Sequence, residues 1–172
     1  MSSEQLTLDQ AIAQRRQGGD LAAQADEQMT RMVFFTLGGQ LFAVAGASIS
    51  EILPLGAIAF VPGCPAAMLG VINVRGAIES VINLAALLGL RQGERSRHSA
   101  IMLAVAAEMR SGLTVDAIVD VAEVPQSALQ APPATTPATL DGIVTGTVRL
   151  GDKVATLIEL DRLFQEFARG LG

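Results

Sequence analysis

From Met32 onward, apolar residues recur with a period of two, and the places where that period breaks mark out the elements. In MVFFTLGGQLFAVAGASISEI, two apolar stretches flank Gly38-Gly39, a pair that supplies the positive φ angles of a tight hairpin turn. Two strands joined by a turn are predicted, with Ala47–Ile52 following as strand or short helical turn. Pro54, Pro62 and Pro65 then punctuate a loop-rich connection, since each fixes φ and removes a backbone donor.

The run GVINVRGAIESVINLAALLGL at 70–90 carries one full charge, Arg75, followed at once by Gly76. A turn at that point separates two predicted strands, Met68–Val74 and Ala77–Leu84. In the second, Ile78, Ser80, Ile82 and Leu84 alternate against Ala77, Glu79, Val81 and Asn83. Asn83 suits the N-cap of a short helix over Leu84–Leu88, closed by Gly89 at the C′ position. Residues 91–99 form a polar connection. AIMLAVAAEMRSGLTVDAIVDVAEV then predicts two strands around a turn near Arg110–Gly112, with Val115, Ala117, Val119 and Val121 on one face. QSALQAPPATTPATL reads as a surface loop, too rich in proline for sheet interior. The closing part predicts a hairpin around Gly151-Asp152 and a last helix capped by Asp161, with Leu160, Leu163, Phe164 and Phe167 at helical spacing.

Two of these stretches are alike. GVINVRGAIESVINLAALL and GIVTGTVRLGDKVATLIELDRLF both run glycine, strand, turn, strand, polar cap, short helix, and Arg149 precedes the second turn much as Arg75 precedes the first. Short strands, glycine turns and little helix between them predict an all-β fold of two small barrels. Residues 1–30 stand apart as a Gln- and Ala-rich N-terminal extension, flexible or weakly helical. In it, Thr7 and Gln10 form a capping box for a helix carrying Leu8 and Ile12, Gly18-Gly19 breaks the pattern, and Asp20 can cap a second helix. The folded domain is expected over residues 31–169.

Composition narrows the function. With 172 residues, 50% apolar and 17% charged, the chain can bury a sizeable core. A net charge of −5 and scattered Lys and Arg provide no basic face, which argues against nucleic acid as a partner. Every long apolar run is broken well short of the roughly 20 residues that span a bilayer, so no direct membrane insertion is expected. The first residues lack the basic and apolar regions of a secretory signal, and Cys64 has no partner cysteine; both lead to the expectation of a cytoplasmic chain. Six Phe with no Trp or Tyr leave little for stacking bases or sugars.

Candidates for chemistry are few. His98 lies in a polar loop without a Cys nearby, and Cys64, between Gly63 and Pro65, has no adjacent base or cation. Asp116 and Asp120 sit four positions apart, roughly 13 Å along a strand, too far to act as a pair, and read as solvated strand-face residues. No phosphate-binding loop, nucleophile elbow or Cys/His metal spacing is present. No catalytic residue, metal or cofactor is expected, and a binding module is the reading that remains.

The segments FTLGGQLFAV, SISEIL, VPGCPAAMLGVINVRGAIESVINLAALLGL, SGLTVDAIVDVAEV and LDGIVTGTVRLGDKVATLIELDRLF resemble, in order and spacing, the CheW-like coupling domain of bacterial chemotaxis over about residues 32–168. The most specific piece is Gly-Val-Ile-Asn-x-Arg-Gly, with Val115–Val121 adding independent weight. The resemblance implies two five-stranded β-barrels around a shared core and a non-enzymatic adaptor. It further implies two partners, the cytoplasmic tip of methyl-accepting chemoreceptors and the regulatory domain of a CheA-type histidine kinase, with other CheW-like domains as additional candidates in membrane-associated arrays. By position, Ile49, Glu51 and Ile52 correspond to a docking segment, and Gly70, Val71, Asn73, Arg75 and Gly76 to the segment near the receptor and kinase contacts. Glu51 and Arg75 can pair if their segments are adjacent. One departure is Ser80-Val81-Ile82-Asn83-Leu84, where the family usually has Pro-Val-(Ile/Val)-Asp-Leu; Asn caps a helix nearly as well as Asp. Rival readings are a divergent scaffold of a non-flagellar chemosensory system, a small-ligand sensor using the cleft between barrels, and a hydrolase built on His98.

Overall fold

Met32–Phe35 is apolar throughout and departs from the period of two expected there, because both of its faces are buried. Val33, Phe35 and Leu37 point into one core cluster, and Met32 and Phe34 into another. The computed structural model describes residues 27–170. The expectations for Thr7, Leu8, Gln10, Ile12, Gly18-Gly19 and Asp20 lie outside these residues.

The strands follow in chain order. β1 (Met29–Leu37) and β2 (Gln40–Ala45) form the hairpin around Gly38-Gly39, and a 3-10 turn at Gly46–Ser48 leads into β3 (Ile49–Pro54). β4 (Met68–Val74) and β5 (Ala77–Ile82) form the second hairpin, followed by the short helix α1 (Leu84–Leu87). The Asn83 side chain accepts a hydrogen bond from the Ala86 N–H, as its cap role requires, and Gly89 closes the turn at φ +68°. After it come β6 (Ala100–Ala106), β7 (Met109–Val115), β8 (Ala117–Pro125), β9 (Val144–Leu150), β10 (Lys153–Ile158) and α2 (Leu160–Arg169).

These ten strands make two five-stranded sheets, ordered β8-β1-β2-β10-β9 and β3-β6-β7-β5-β4. Each half of the chain runs hairpin, single strand, hairpin, helix, and the single strand together with the second hairpin joins the first hairpin of the other half. Thus β3 pairs with β6, and β8 with β1. Parallel pairs β5·β7 and β10·β2 complete each sheet. The sheets curl toward closure: past β8, Gln130 exchanges hydrogen bonds of 2.9 Å with Thr147 on the far edge strand β9. Apolar residues line the inside of each barrel, and a larger cluster between the barrels receives Phe35, Phe42, Ile82, Met102, Leu113, Leu160, Leu163 and Phe164. Phe35 and Phe42 face each other across the first hairpin and stack at 5.9 Å.

Five local expectations are corrected. The segment 100–125 holds three strands, and the first reversal is at Ala107–Glu108, whose φ values are +48° and +62°. Gly112, the apparent turn signal, is inside β7, where an added Cβ would press on the Ile101 methyl. Val115 and Val121 consequently belong to different sheets: Val115 is buried at the end of β7, while Val119 and Val121 are exposed on β8. Asp116 is no free strand-face residue, since it sits at this crossover and accepts a 2.8 Å hydrogen bond from the Gly38 N–H. At α2 the capping side chain is Glu159, which accepts from the Asp161 N–H, while the Asp161 carboxylate faces Ala107. Finally, Arg149 lies within β9 opposite Val154, so the turn position matching Arg75 is taken by Gly151.

Candidate protein-docking site

β3 and β4 are the two edges of the second sheet, and the candidate residues lie along the seam between them. On β3 a bulge between Ile49 and Glu51 changes the facing of the strand. Ile49 packs against the core between the barrels, whereas Glu51 stands opposite Leu103, a residue of the barrel's own interior. Ile52 points the other way and is exposed.

On β4 a second bulge falls between Met68 and Gly70. Gly70 has φ +146°, and a Cβ there would overlap the Ala59 carbonyl oxygen. The close approach lets Ala59 and Val71 exchange two backbone hydrogen bonds of 2.9 Å, so the loop after β3 is strapped along this edge. Farther on, Arg75 and Gly76 form a two-residue hairpin loop between Val74 and Ala77, with φ +49° and +87°. Both signs suit the right-handed twist of the flanking strands. Asn73 holds the loop by accepting a 2.8 Å hydrogen bond from the Gly76 N–H.

This loop delivers the Arg75 guanidinium to Glu51. Nη1 donates to Oε1 at 2.9 Å and Nη2 donates to Oε2, a two-pronged pair across the seam. The adjacency that the pairing of Glu51 with Arg75 required is therefore present. The Arg75 side chain is 72% exposed and that of Glu51 25%. The Arg75 hydrogen bonds hold the Glu51 carboxyl below its ordinary value, and the same pairing raises Arg75.

The eight sequence-derived candidates thus fall into three groups. Glu51, Asn73, Arg75 and Gly76 meet at one end of the barrel; Gly70 and Val71 hold the strap beside β4; Ile49 and Ile52 flank Glu51 and both lie on the other face of β3. Two residues of the same rim were missed. Arg110 Nε donates to Glu79 Oε1 at 2.7 Å, and Glu79 is 8% exposed. The inward placement of Glu79 was readable from its alternation with Val81, but assigning Arg110 to a turn concealed its partner.

Elsewhere, Cys64 is half-buried with Sγ directed at the Met68 carbonyl, and His98 is exposed beside Arg97. Among the described residues no three His, Cys, Asp or Glu side chains come together in a metal-binding arrangement. Two hollows flank the core between the barrels. One, of about 370 Å³, is lined by Leu87, Ile143, Leu163, Glu166 and Phe167; the other, of about 350 Å³, by Phe42, Leu88, Leu90, Thr136, Leu140 and Val144.

The family profile described as the CheW-like domain matches residues 31–168. A probable chemotaxis protein CheW of Rhizobium etli is 33% identical over 135 residues, covering 78% of this chain and 87% of that protein. The chemotaxis protein CheW of Rhizobium meliloti is 29% identical over 133 residues, covering 77% and 86%. Among solved structures, the scaffolding protein TtCheW from Thermoanaerobacter tengcongensis superposes with a TM-score of 0.71 at 29% identity, over 80% of this chain and 88% of that one. Barrel architecture, motif order and relatives agree: this chain belongs to the CheW-like domain family.

Proposed function

We propose that this protein is a non-enzymatic chemotaxis adaptor that couples methyl-accepting chemoreceptors to a CheA-type histidine kinase, with residues 31–169 as its docking domain. The observation that carries this reading is the Glu51–Arg75 pair at the rim of the second barrel, within a chain of the CheW-like family. Arginine has five N–H donors, and Glu51 engages two of them, so an oriented guanidinium edge faces outward. A partner carboxylate can use that edge, and an uncharged or cationic surface would leave the desolvated charges unmatched. Ile52, Gly70, Val71, Asn73 and Gly76 extend or shape the same face, and Ile49 anchors it to the core. No helix among the described residues is long and apolar enough to cross a membrane. Receptor binding would accordingly bring the protein to the membrane-associated array.

The test is reconstitution with the cytoplasmic receptor tip and the kinase regulatory domain from the same bacterium. The wild type should bind both, and Arg75→Glu should lose assembly while its thermal midpoint stays nearly unchanged. No binding of the wild type to either partner overturns the reading, and parallel loss of folding and binding in Arg75→Glu makes that residue structural.

A further inference from the structure

Strand register places a second ion pair beside the first, on the inward face of the same barrel. Leu103 of β6 lies opposite Glu51 on one side and Gly112 of β7 on the other, and Gly112 is level with Val81 of β5. Leu103 and Val81 belong to the barrel interior, so residues two positions away on each strand also face inward, one pleat nearer the open end. These are Val105, Arg110 and Glu79. The apolar core therefore ends in a rim made of Glu51, Val105, Arg110 and Glu79, with Arg75 reaching over it from the β4–β5 loop.

Only β6 separates Glu51 from Arg110, a span of roughly 12 Å from two interstrand spacings and one pleat, short enough for two long side chains to share. Arg110 is 45% exposed at its side chain and Glu79 11%, so Arg110 is anchored from below and open above. Besides the Arg75 hydrogen bonds, the charge of Arg110 also helps to keep the Glu51 carboxyl low.

We propose that Arg110 is a positioning residue of the docking rim: anchored by Glu79, it holds the Glu51 carboxylate in place beneath Arg75 while the outward edge of the Arg75 guanidinium meets an acidic side chain of the partner. A second cation beside Glu51 compensates its charge while Arg75 shares its own between Glu51 and the partner. The proposal rests on the docking role of this face, and its first test is independent of any partner.

The Glu51 carboxyl is followed by ¹³C NMR through an acid titration of the full chain. In Arg75→Gln its midpoint should rise, and it should rise further in Arg75→Gln/Arg110→Gln. Glu79→Gln, which leaves Arg110 with Glu51 alone, should lower the midpoint and covers the case in which an Arg110 variant fails to fold. Equal midpoints in Arg75→Gln and Arg75→Gln/Arg110→Gln, or a midpoint unmoved by Glu79→Gln, overturn the proposal. Binding to the receptor-tip fragment should then weaken several-fold in Arg110→Gln and recover partly in Arg110→Lys; equal affinity of Arg110→Gln and wild type also overturns it. Should the wild type bind no receptor tip, the adaptor reading fails while the titration still decides the role of Arg110.

Discussion

The carboxylate of Asp161, in the first turn of α2, accepts a 2.6 Å hydrogen bond from the backbone N–H of Ala107, 54 positions earlier. This bond joins the helix that ends the chain to the tip of the β6–β7 hairpin, where two residues other than glycine hold positive φ. Such conformations cost of order 1 kcal/mol each and persist only where surrounding contacts impose them. Asp161→Ala should therefore lower unfolding free energy by about 1–3 kcal/mol, and Asp161→Asn by less, since an acceptor remains. Chemical denaturation midpoints at constant m-value measure both.

Gly70→Ala should be among the more damaging single-methyl substitutions. The added Cβ meets the Ala59 carbonyl at a φ that side chains avoid, so the Ala59–Val71 bridge must open. A loss of about 2 kcal/mol or more is expected, together with faster amide exchange at Val71.

Phe164→Ala tests whether the two barrels unfold as one. Phe164 is fully buried in the cluster that both barrels share, and truncation should cost about 3–5 kcal/mol. Because each barrel is completed by strands from the other half of the chain, probes in β1 and in β6 should report the same shifted transition. Two separate transitions would contradict this coupling.

The Glu51–Arg75 pair has a defined acid limit. Glu51 titrates below its ordinary value of 4.5 and Arg75 above its own already high one, so the pair is intact at neutral pH. A depressed carboxyl favours the folded pair above the unfolded value, and that contribution fades as pH falls through the folded one. Both groups are solvent-exposed, so global stability should change little. The measurable effect is on Arg75 Nε–H chemical shift and on partner affinity, both expected to hold at pH 5 and decline below 4.5.

Much of the candidate site was legible because its signals are local. Gly-Val-Ile-Asn-x-Arg-Gly contains the close-packed glycine, the Asn that holds the loop and the positive-φ pair within a few residues. Glu79 was placed on the correct face of its strand by alternation alone. The reversal at Ala107–Glu108 was not legible, since the group that holds it, Asp161, lies in another part of the chain. Arg110 was lost with it.

The sequence by itself determined the strands outside residues 100–125, the Gly38-Gly39 and Arg75-Gly76 turns, the Asn83 cap and the twofold repeat, because each depends on residues two to four positions apart. Tertiary structure alone decided which half each strand joins, where the β6–β7 hairpin turns, and that Glu51, Arg75, Glu79 and Arg110 meet at one rim. Those outcomes depend on the register between strands far apart in sequence and on bulges that turn a side chain from one face to the other, and no short stretch of the chain encodes either.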